Sequence, residues 1–253
     1  MKKVAIILFP GNNCENETAK AIESSGMKAS IIRWNDTKHL KDYDGYVLPG
    51  GWSYEDRIRS GVIAAKDPII ELIKKESESG KVVLGICNGC QILVESALIP
   101  GLQNDVEMAL APNINPFVSG FYCTWVHIKS TINRNTAFNL NIKKNEILQI
   151  PIAHGEGNFQ TQDPNLISCL EKKEQLIFKY CDSDGIIGKD FPINPNGSAD
   201  NIAGIVNKTG NVLGMMPHPE RACWMRQVPD LHSKGENKGP GRKIFESIRE
   251  YLK

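Results

Sequence analysis

The apolar positions of the first hundred residues fall in short runs separated by helical patterns. Lys2 to Phe9 is a mostly apolar run closed by Pro10-Gly11. Glu15 to Ser25 follows with helical spacing and stops at Gly26. Lys28 to Trp34 reads as a second strand, and Gly45 to Leu48 as a third, closed by Pro49-Gly50-Gly51. In Pro68 to Ser79, the residues Ile69, Ile70, Leu72 and Ile73 recur at helix period, with Gly80 as the stop. Val82 to Ile86 is a fourth strand and Cys87 to Ala97 an amphipathic helix. Short apolar strands alternating with helices predict an α/β fold, with a mostly parallel sheet covered on both faces.

After Pro100 the pattern changes. Met108 to Ala111, Phe121 to Lys129, Ile147 to His154 and Gln175 to Cys181 are strand-like and often alternate, with almost no helical periodicity between them. They predict an antiparallel layer or a mixed extension of the sheet. Asp182 to Asn201 is rich in turn residues and reads as a loop. Ile202 to Val206 and Val212 to Met216 predict a hairpin around Thr209-Gly210-Asn211. Trp224 to Gly241 is polar and reads as a surface loop, before a closing helix over Lys243 to Tyr251. No repeat, low-complexity tract or linker divides the chain, so a single domain over residues 1–253 is expected.

Composition narrows the function classes. Of 253 residues, 41% are hydrophobic, enough for a core without covalent staples. Thirty Lys and Arg against 29 Asp and Glu leave a net charge of +1, so nucleic acid is not an expected partner. The early apolar run Val4 to Phe9 is too short for a membrane span or a signal core, which points to a cytoplasmic chain with no membrane partner. Seven cysteines, odd in number and scattered, read as reduced thiols. The question is which of them carries chemistry.

Gly85-Ile86-Cys87-Asn88-Gly89 follows an apolar strand and opens a helix, the context of a G-x-S-x-G nucleophile elbow with Cys in place of Ser. A nucleophile on so sharp a turn has neighbouring chain passing close by, and glycines two before and two after remove the side chains that would clash. The helix N-terminus places partial positive charge beside the sulfur. For a lone cysteine the ordinary reading is a small apolar filler. The two flanking glycines at a strand-to-helix junction reverse those odds. Cys87-Asn88-Gly89-Cys90 is also a C-x-x-C redox pattern.

A Cys nucleophile needs a base that takes its proton and returns it to the leaving group, and an acid that orients that base. Two H-x-E patterns offer such a pair: Pro217-His218-Pro219-Glu220 and Ala153-His154-Gly155-Glu156-Gly157. Before a proline the chain is biased to extended backbone, where positions i and i+2 share a side, so Glu220 is expected beside His218. Glu156 stands in the same relation to His154, and local chemistry leaves both pairs open. A zinc deaminase would need H-x-E ahead of P-C-x-x-C; here the order is reversed and no proline precedes Cys87. No metal site is expected. For the oxyanion, the elbow arrangement uses the N–H of Asn88 and one from the loop after the third strand, at Gly50 or Gly51. No G-x-x-x-x-G-K-[ST] phosphate loop is present, so ATP chemistry is not expected in this chain.

Gly85-x-Cys87-x-Gly89-x-Gln91, Pro49-Gly50-Gly51 and the late His218-Pro219-Glu220 together resemble a class I, triad-type glutamine amidotransferase. Phe9-Pro-Gly-Asn-Asn-Cys-Glu15, Leu48-Pro-Gly-Gly-Trp-Ser-Tyr-Glu-Asp56, the His154 block and Asn194-Pro-Asn-Gly-Ser198 narrow the resemblance to the glutaminase subunits of phosphoribosylformylglycinamidine synthases of purine biosynthesis. These blocks run from Phe9 to Arg221. The resemblance implies a flavodoxin-like fold, a triad of Cys87, His218 and Glu220, and glutamine recognition by Gly50, Gly51, Asn88 and Gln91, with His154 and Gly155 lining the same pocket. It implies L-glutamine as substrate, and as partners a synthetase subunit, which carries ATP and magnesium, and a small accessory subunit. The family usually has Phe and Gly where this chain has Trp52 and Glu55, so a charge is expected near the pocket mouth. The alternatives are another cysteine hydrolase on a flavodoxin-like sheet, a non-catalytic regulatory subunit and a dithiol redox protein.

Overall fold

A computed structural model of the chain describes residues 1–118, 120–229 and 237–253. The first apolar run becomes β1 (Lys3–Leu8), whose Val4, Ala5, Ile6 and Ile7 are all buried, as a strand covered on both faces requires. There follow α1 (Glu15–Ser24), β2 (Lys28–Arg33), β3 (Gly45–Leu48), α2 (Pro68–Glu78), β4 (Val82–Ile86) and α3 (Asn88–Glu95). Asp67 caps α2 by accepting from the Ile69 N–H at 3.3 Å, with Pro68 in the first helical position. The second half supplies β5 (Ala109–Ala111), β6 (Tyr122–Ser130), β7 (Ile147–His154), β8 (Asn158–Gln160), α4 (Leu166–Lys172), β9 (Phe178–Cys181), β10 (Ile202–Val206), β11 (Val212–Met215) and α5 (Arg242–Tyr251).

Nine strands form one sheet in the order β2-β1-β3-β4-β11-β10-β9-β6-β7. The first five are parallel: β1 pairs with β2 and β3, β3 with β4, and β4 with β11. The others run antiparallel through β10, β9, β6 and β7. The order 2-1-3-4 with a fifth parallel strand is flavodoxin-like. The fifth place is taken by β11, near the end of the chain, and the residues between α3 and β11 build the antiparallel extension. Because α1 leads from β1 to one side and α2 from β3 to the other, right-handed crossovers put them on opposite faces. Helix α5 packs beside α1. The expected mostly parallel sheet with antiparallel strands in the second half is therefore observed.

The structure corrects some details. β5 pairs with β8 in a separate two-stranded sheet and does not extend the main one. α4 was not anticipated: it is seven residues long and anchored by buried Leu166 and Leu170, too short to establish a period. The strand expected from Gln175 begins only at Phe178, because the Ile177 N–H turns back onto the Gln175 carbonyl at 3.0 Å. Within the Trp224–Gly241 loop, Met225–Gln227 forms a 3-10 turn and Trp224 bridges to Lys238. Residues 230–236 of that loop, with His232, lie outside the described residues. Among the described residues no helix is long and apolar enough to cross a membrane.

The strand order reverses direction between β1 and β3, and ligands of open α/β sheets bind outside the carboxyl ends of the strands at such a point. Here the loops after β1 and β3 are tied together: the Gly50 carbonyl accepts from the N–H groups of Asn13 at 3.3 Å and Cys14 at 3.4 Å.

Candidate active site

β4 ends at Ile86, and the next residue, Cys87, turns the chain into α3 with φ 51° and ψ −106°. A residue with a Cβ carries strain of roughly 1–3 kcal/mol in such a region. The surroundings hold it there. The Cys87 N–H donates to the Met215 carbonyl at 2.8 Å. Both elbow glycines are required by close approach. A Cβ on Gly89 would lie 1.9 Å from the Leu48 carbonyl oxygen, and one on Gly85 would lie 2.5 Å from the Gly89 oxygen. The helix therefore sits directly against β3 and β4. Asn88 is its first residue, so its N–H has no acceptor within the helix.

His218 comes from the turn after β11, where its own N–H donates to the Pro151 carbonyl of β7 at 2.8 Å. Its Nδ1 lies 2.6 Å from Glu220 Oε1, and both side chains are buried. The pair forms for a different reason from the one anticipated. The backbone after His218 is not extended: Pro219–Ala222 is a 3-10 turn with Pro219 in its first position, which folds Glu220 back onto the ring. Burial disfavours the imidazolium, but the Glu220 carboxylate and the Cys87 sulfur outweigh it and hold His218 well above its ordinary value of 6.5. The Nε2 of His218 is buried and has no partner among the described residues.

His154 ends β7 and lines the same cavity. Its Nδ1 lies 3.1 Å from Asn113 Oδ1, and Glu156 is turned elsewhere. One Glu156 carboxylate oxygen accepts from the Ser60 N–H at 3.2 Å. The rival H-x-E pair is thus not assembled. Burial, then the nearby His218, push His154 down to about 3. A base with a lowered folded value keeps its stability at high pH and loses it in acid. Between pH 6.5 and about 3, only the unfolded chain takes up this proton, and native stability falls by about 1.4 kcal/mol per pH unit from this group. The direct check is NMR of the histidine ring protons: the His154 signal should stay still from pH 8 to 5, and a titration midpoint above 6 would refute the assignment.

Cys87, His154 and His218 open onto one cavity of about 260 Å³, which Gly51, Gln91 and Gly155 also line. That is at the small end for ligand pockets, which suits an amino acid better than a nucleotide. Gly50 lies behind the reacting groups: a Cβ there would meet His218 Cε1 at 2.8 Å and Cys14 Sγ at 3.1 Å. Gly51, at φ 138°, passes within 2.5 Å of the Asn12 Cα by the same measure. The Asn88 and Gln91 side chains hold the walls together. Asn88 Nδ2 donates to Gln91 Oε1 at 3.0 Å, and Gln91 Nε2 donates to the Glu156 carbonyl at 2.7 Å. Asn88 Oδ1 accepts from the Ser53 N–H at 3.1 Å.

Glu55, whose charge was expected at the pocket mouth, does not line the cavity. It takes the left-handed φ of 60° that favours glycine, and its carboxylate pairs with Arg57 at 2.8 Å on the exposed surface. Trp52 does reach the mouth, where its ring lies 5.9 Å from that of Phe121. Cys90 is fully buried against Gly214, and burial, then the Cys87 sulfur, push its thiol well above its ordinary value of 9.0. It is unsuited to redox exchange with Cys87. Sequence reasoning overlooked Cys14, whose sulfur accepts from the Arg221 guanidinium at 3.1 Å. That sulfur, a His218 ring nitrogen and a Glu220 carboxylate oxygen lie within 4.8 Å of one another.

Comparison with known proteins places the chain in a family. The profile of the CobB/CobQ-like glutamine amidotransferase domain matches residues 1–252. Phosphoribosylformylglycinamidine synthase subunit PurQ of Methanothrix thermoacetophila is 46% identical, over 99% of this chain and 98% of that protein. The protein of the same name in Pyrococcus horikoshii is 44% identical over the whole of both chains. A chain of the structure of PurLQS from Thermotoga maritima superposes with a TM-score of 0.78 at 34% identity, covering 100% of this chain and 99% of that one. The chain belongs to the CobB/CobQ-like glutamine amidotransferases and, among them, to the PurQ family of phosphoribosylformylglycinamidine synthase subunits.

Proposed function

We propose that this chain is the glutaminase subunit of a phosphoribosylformylglycinamidine synthase, folded as one domain, in which Cys87 is the nucleophile. The observation that carries the reading is the strained Cys87 at the α3 N-terminus, sharing a small cavity with a buried His218–Glu220 pair. His218 takes the Cys87 proton. The sulfur attacks the side-chain amide carbon of L-glutamine, forming a C–S bond. The oxyanion is met by the Asn88 N–H and that of Gly50 or Gly51, each such donor being worth about 3–4 kcal/mol of barrier. His218 returns its proton to the amide nitrogen, the C–N bond breaks and ammonia leaves. Water, deprotonated by His218, then opens the thioester to glutamate and restores Cys87. Glu220 fixes the His218 tautomer and steadies its imidazolium.

Ammonia released to neutral water is mostly protonated and no longer nucleophilic, so it passes directly to a partner. That partner is the synthetase subunit, which uses ATP and magnesium to convert formylglycinamide ribonucleotide to its amidine; a small accessory subunit completes the complex. Relatives named as subunits of that synthase support this, as does the match to a chain of PurLQS. A cytoplasmic location follows from that biosynthetic role. The test is covalent labelling with a chloroketone analogue of glutamine. One equivalent should attach at Cys87, and L-glutamine should protect. Labelling at Cys14 or Cys90 instead, or no protection, would refute the assignment.

A further inference from the structure

Asn12 stands outside the lining of the Cys87 cavity and joins three segments around it. Its Oδ1 accepts from the Phe9 N–H at 2.9 Å, which fixes the carboxamide against the end of β1. Its Nδ2 donates to the Gly50 carbonyl at 3.4 Å and to Asn88 Oδ1 at 3.3 Å. Both amide protons are thus spent inside the protein, on the two stretches that carry the proposed oxyanion donors. The Gly50 carbonyl also receives the N–H groups of Asn13 and Cys14, and the Trp52 N–H donates to the Gly11 carbonyl at 3.0 Å. A trans peptide sets the N–H of one residue antiparallel to the carbonyl before it. Donors that hold the Gly50 oxygen toward the β1 loop therefore turn the Gly51 N–H away from that loop. Gly51 lines the cavity, and its N–H has no backbone acceptor among the described residues. The Asn88 N–H, in the first turn of α3, has no acceptor in its helix either. The Asn88 side-chain oxygen is pinned by Asn12 together with the Ser53 N–H.

We propose that Asn12 is a positioning residue for the oxyanion hole: its carboxamide sets the spacing and aim of the Gly51 and Asn88 N–H groups, and makes Gly51 rather than Gly50 the second donor. This rests on the glutaminase reading of Cys87. Asn12 does not line the cavity, so it acts only through these two peptides. A preorganised donor matters most where charge develops. Loosening it costs rate in the tetrahedral step and leaves binding of the ground-state amide almost untouched. Asn12→Asp keeps the acceptor for the Phe9 N–H and removes both donors. Asn12→Leu has a similar shape and removes them without adding charge.

The experiment measures glutamine-dependent and ammonium-dependent synthesis by the assembled synthase, together with the pH profile of glutamine hydrolysis. In both variants kcat for glutamine should fall about 10–100-fold while KM stays within about threefold. The fall is smaller than for deletion of a whole donor, because the N–H is misaimed rather than removed. Ammonium-dependent synthesis should hold. In Asn12→Leu the pH profile should drop without moving its midpoints. An unchanged kcat in both variants would overturn the role, as would a loss carried by KM. A shifted midpoint in Asn12→Leu would overturn it too, by placing the effect on the Cys87–His218 pair. So would a parallel fall in ammonium-dependent synthesis in both variants, which marks a general loss of structure. Chloroketone labelling of wild-type Cys87, with protection by glutamine, tests the underlying reading separately.

Discussion

Changing Cys87 to serine should remove glutamine-dependent synthesis from the assembled synthase by a factor on the order of 10⁴ or more, while synthesis from ammonium salts continues. The two halves of this expectation have separate causes. Serine has the same Cβ as cysteine, so it adds no strain at φ 51° and leaves the Gly85–Gly89 approach to β3 and β4 intact. The fold and the docking surface therefore survive, and the thermal melt should be close to that of the parent. What is lost is the sulfur nucleophile. A hydroxyl ionises far less readily than a thiol beside the same imidazole, and the serine ester would form slowly if at all. Free ammonia bypasses this step because the ATP-dependent chemistry belongs to the partner. The assay is product formation from glutamine and from ammonium chloride, in parallel. Retained glutamine use would mean that another residue, with Cys14 in the same cavity a candidate, carries the attack.

What was legible in the amino-acid pattern follows from how local each feature is. β1, β3 and β4 are apolar runs because both their faces are covered, and they were read almost to the residue. The elbow was legible because Gly85 and Gly89 have backbone on the side where a Cβ would stand. The pair His218–Glu220 was found for an incomplete reason, since a 3-10 turn rather than extended chain brings the two together. The choice between two H-x-E patterns could not be made locally. It turns on Asn113, which captures His154 from 41 residues away. Cys14 and Arg221 meet across 207 positions, and no spacing rule announces such a contact. Asp56 and Glu156 were hidden in the same way: one sits after β3 and the other after β7, linked through Asn88 and Gln91. α4 escaped because seven residues are too few to show a helical period. That β5 and β8 form their own sheet is a matter of packing, not of composition.

The second large effect separates the two histidines. Changing His218 to alanine should lower glutamine hydrolysis by about 10³-fold or more, with the loss in kcat rather than KM. His218 holds the proton that the leaving nitrogen requires. Its Nδ1 is committed to Glu220 at 2.6 Å, which leaves Nε2, buried and without a partner among the described residues, as the atom that exchanges protons with Cys87 and the amide. His154 is a neutral ring packed on Gly157, whose Cβ would come within 2.1 Å of it. Its replacement by alanine should cost mainly stability, on the order of 2–4 kcal/mol for an emptied buried site, and less than about tenfold in kcat. Glu220→Gln should behave like a milder His218 variant, because an amide no longer steadies the imidazolium and can hold the wrong tautomer. Steady-state rates for the three variants, taken with their denaturation midpoints, decide the matter. If His154→Ala abolishes turnover in a folded protein while His218→Ala retains it, the base has been assigned to the wrong histidine.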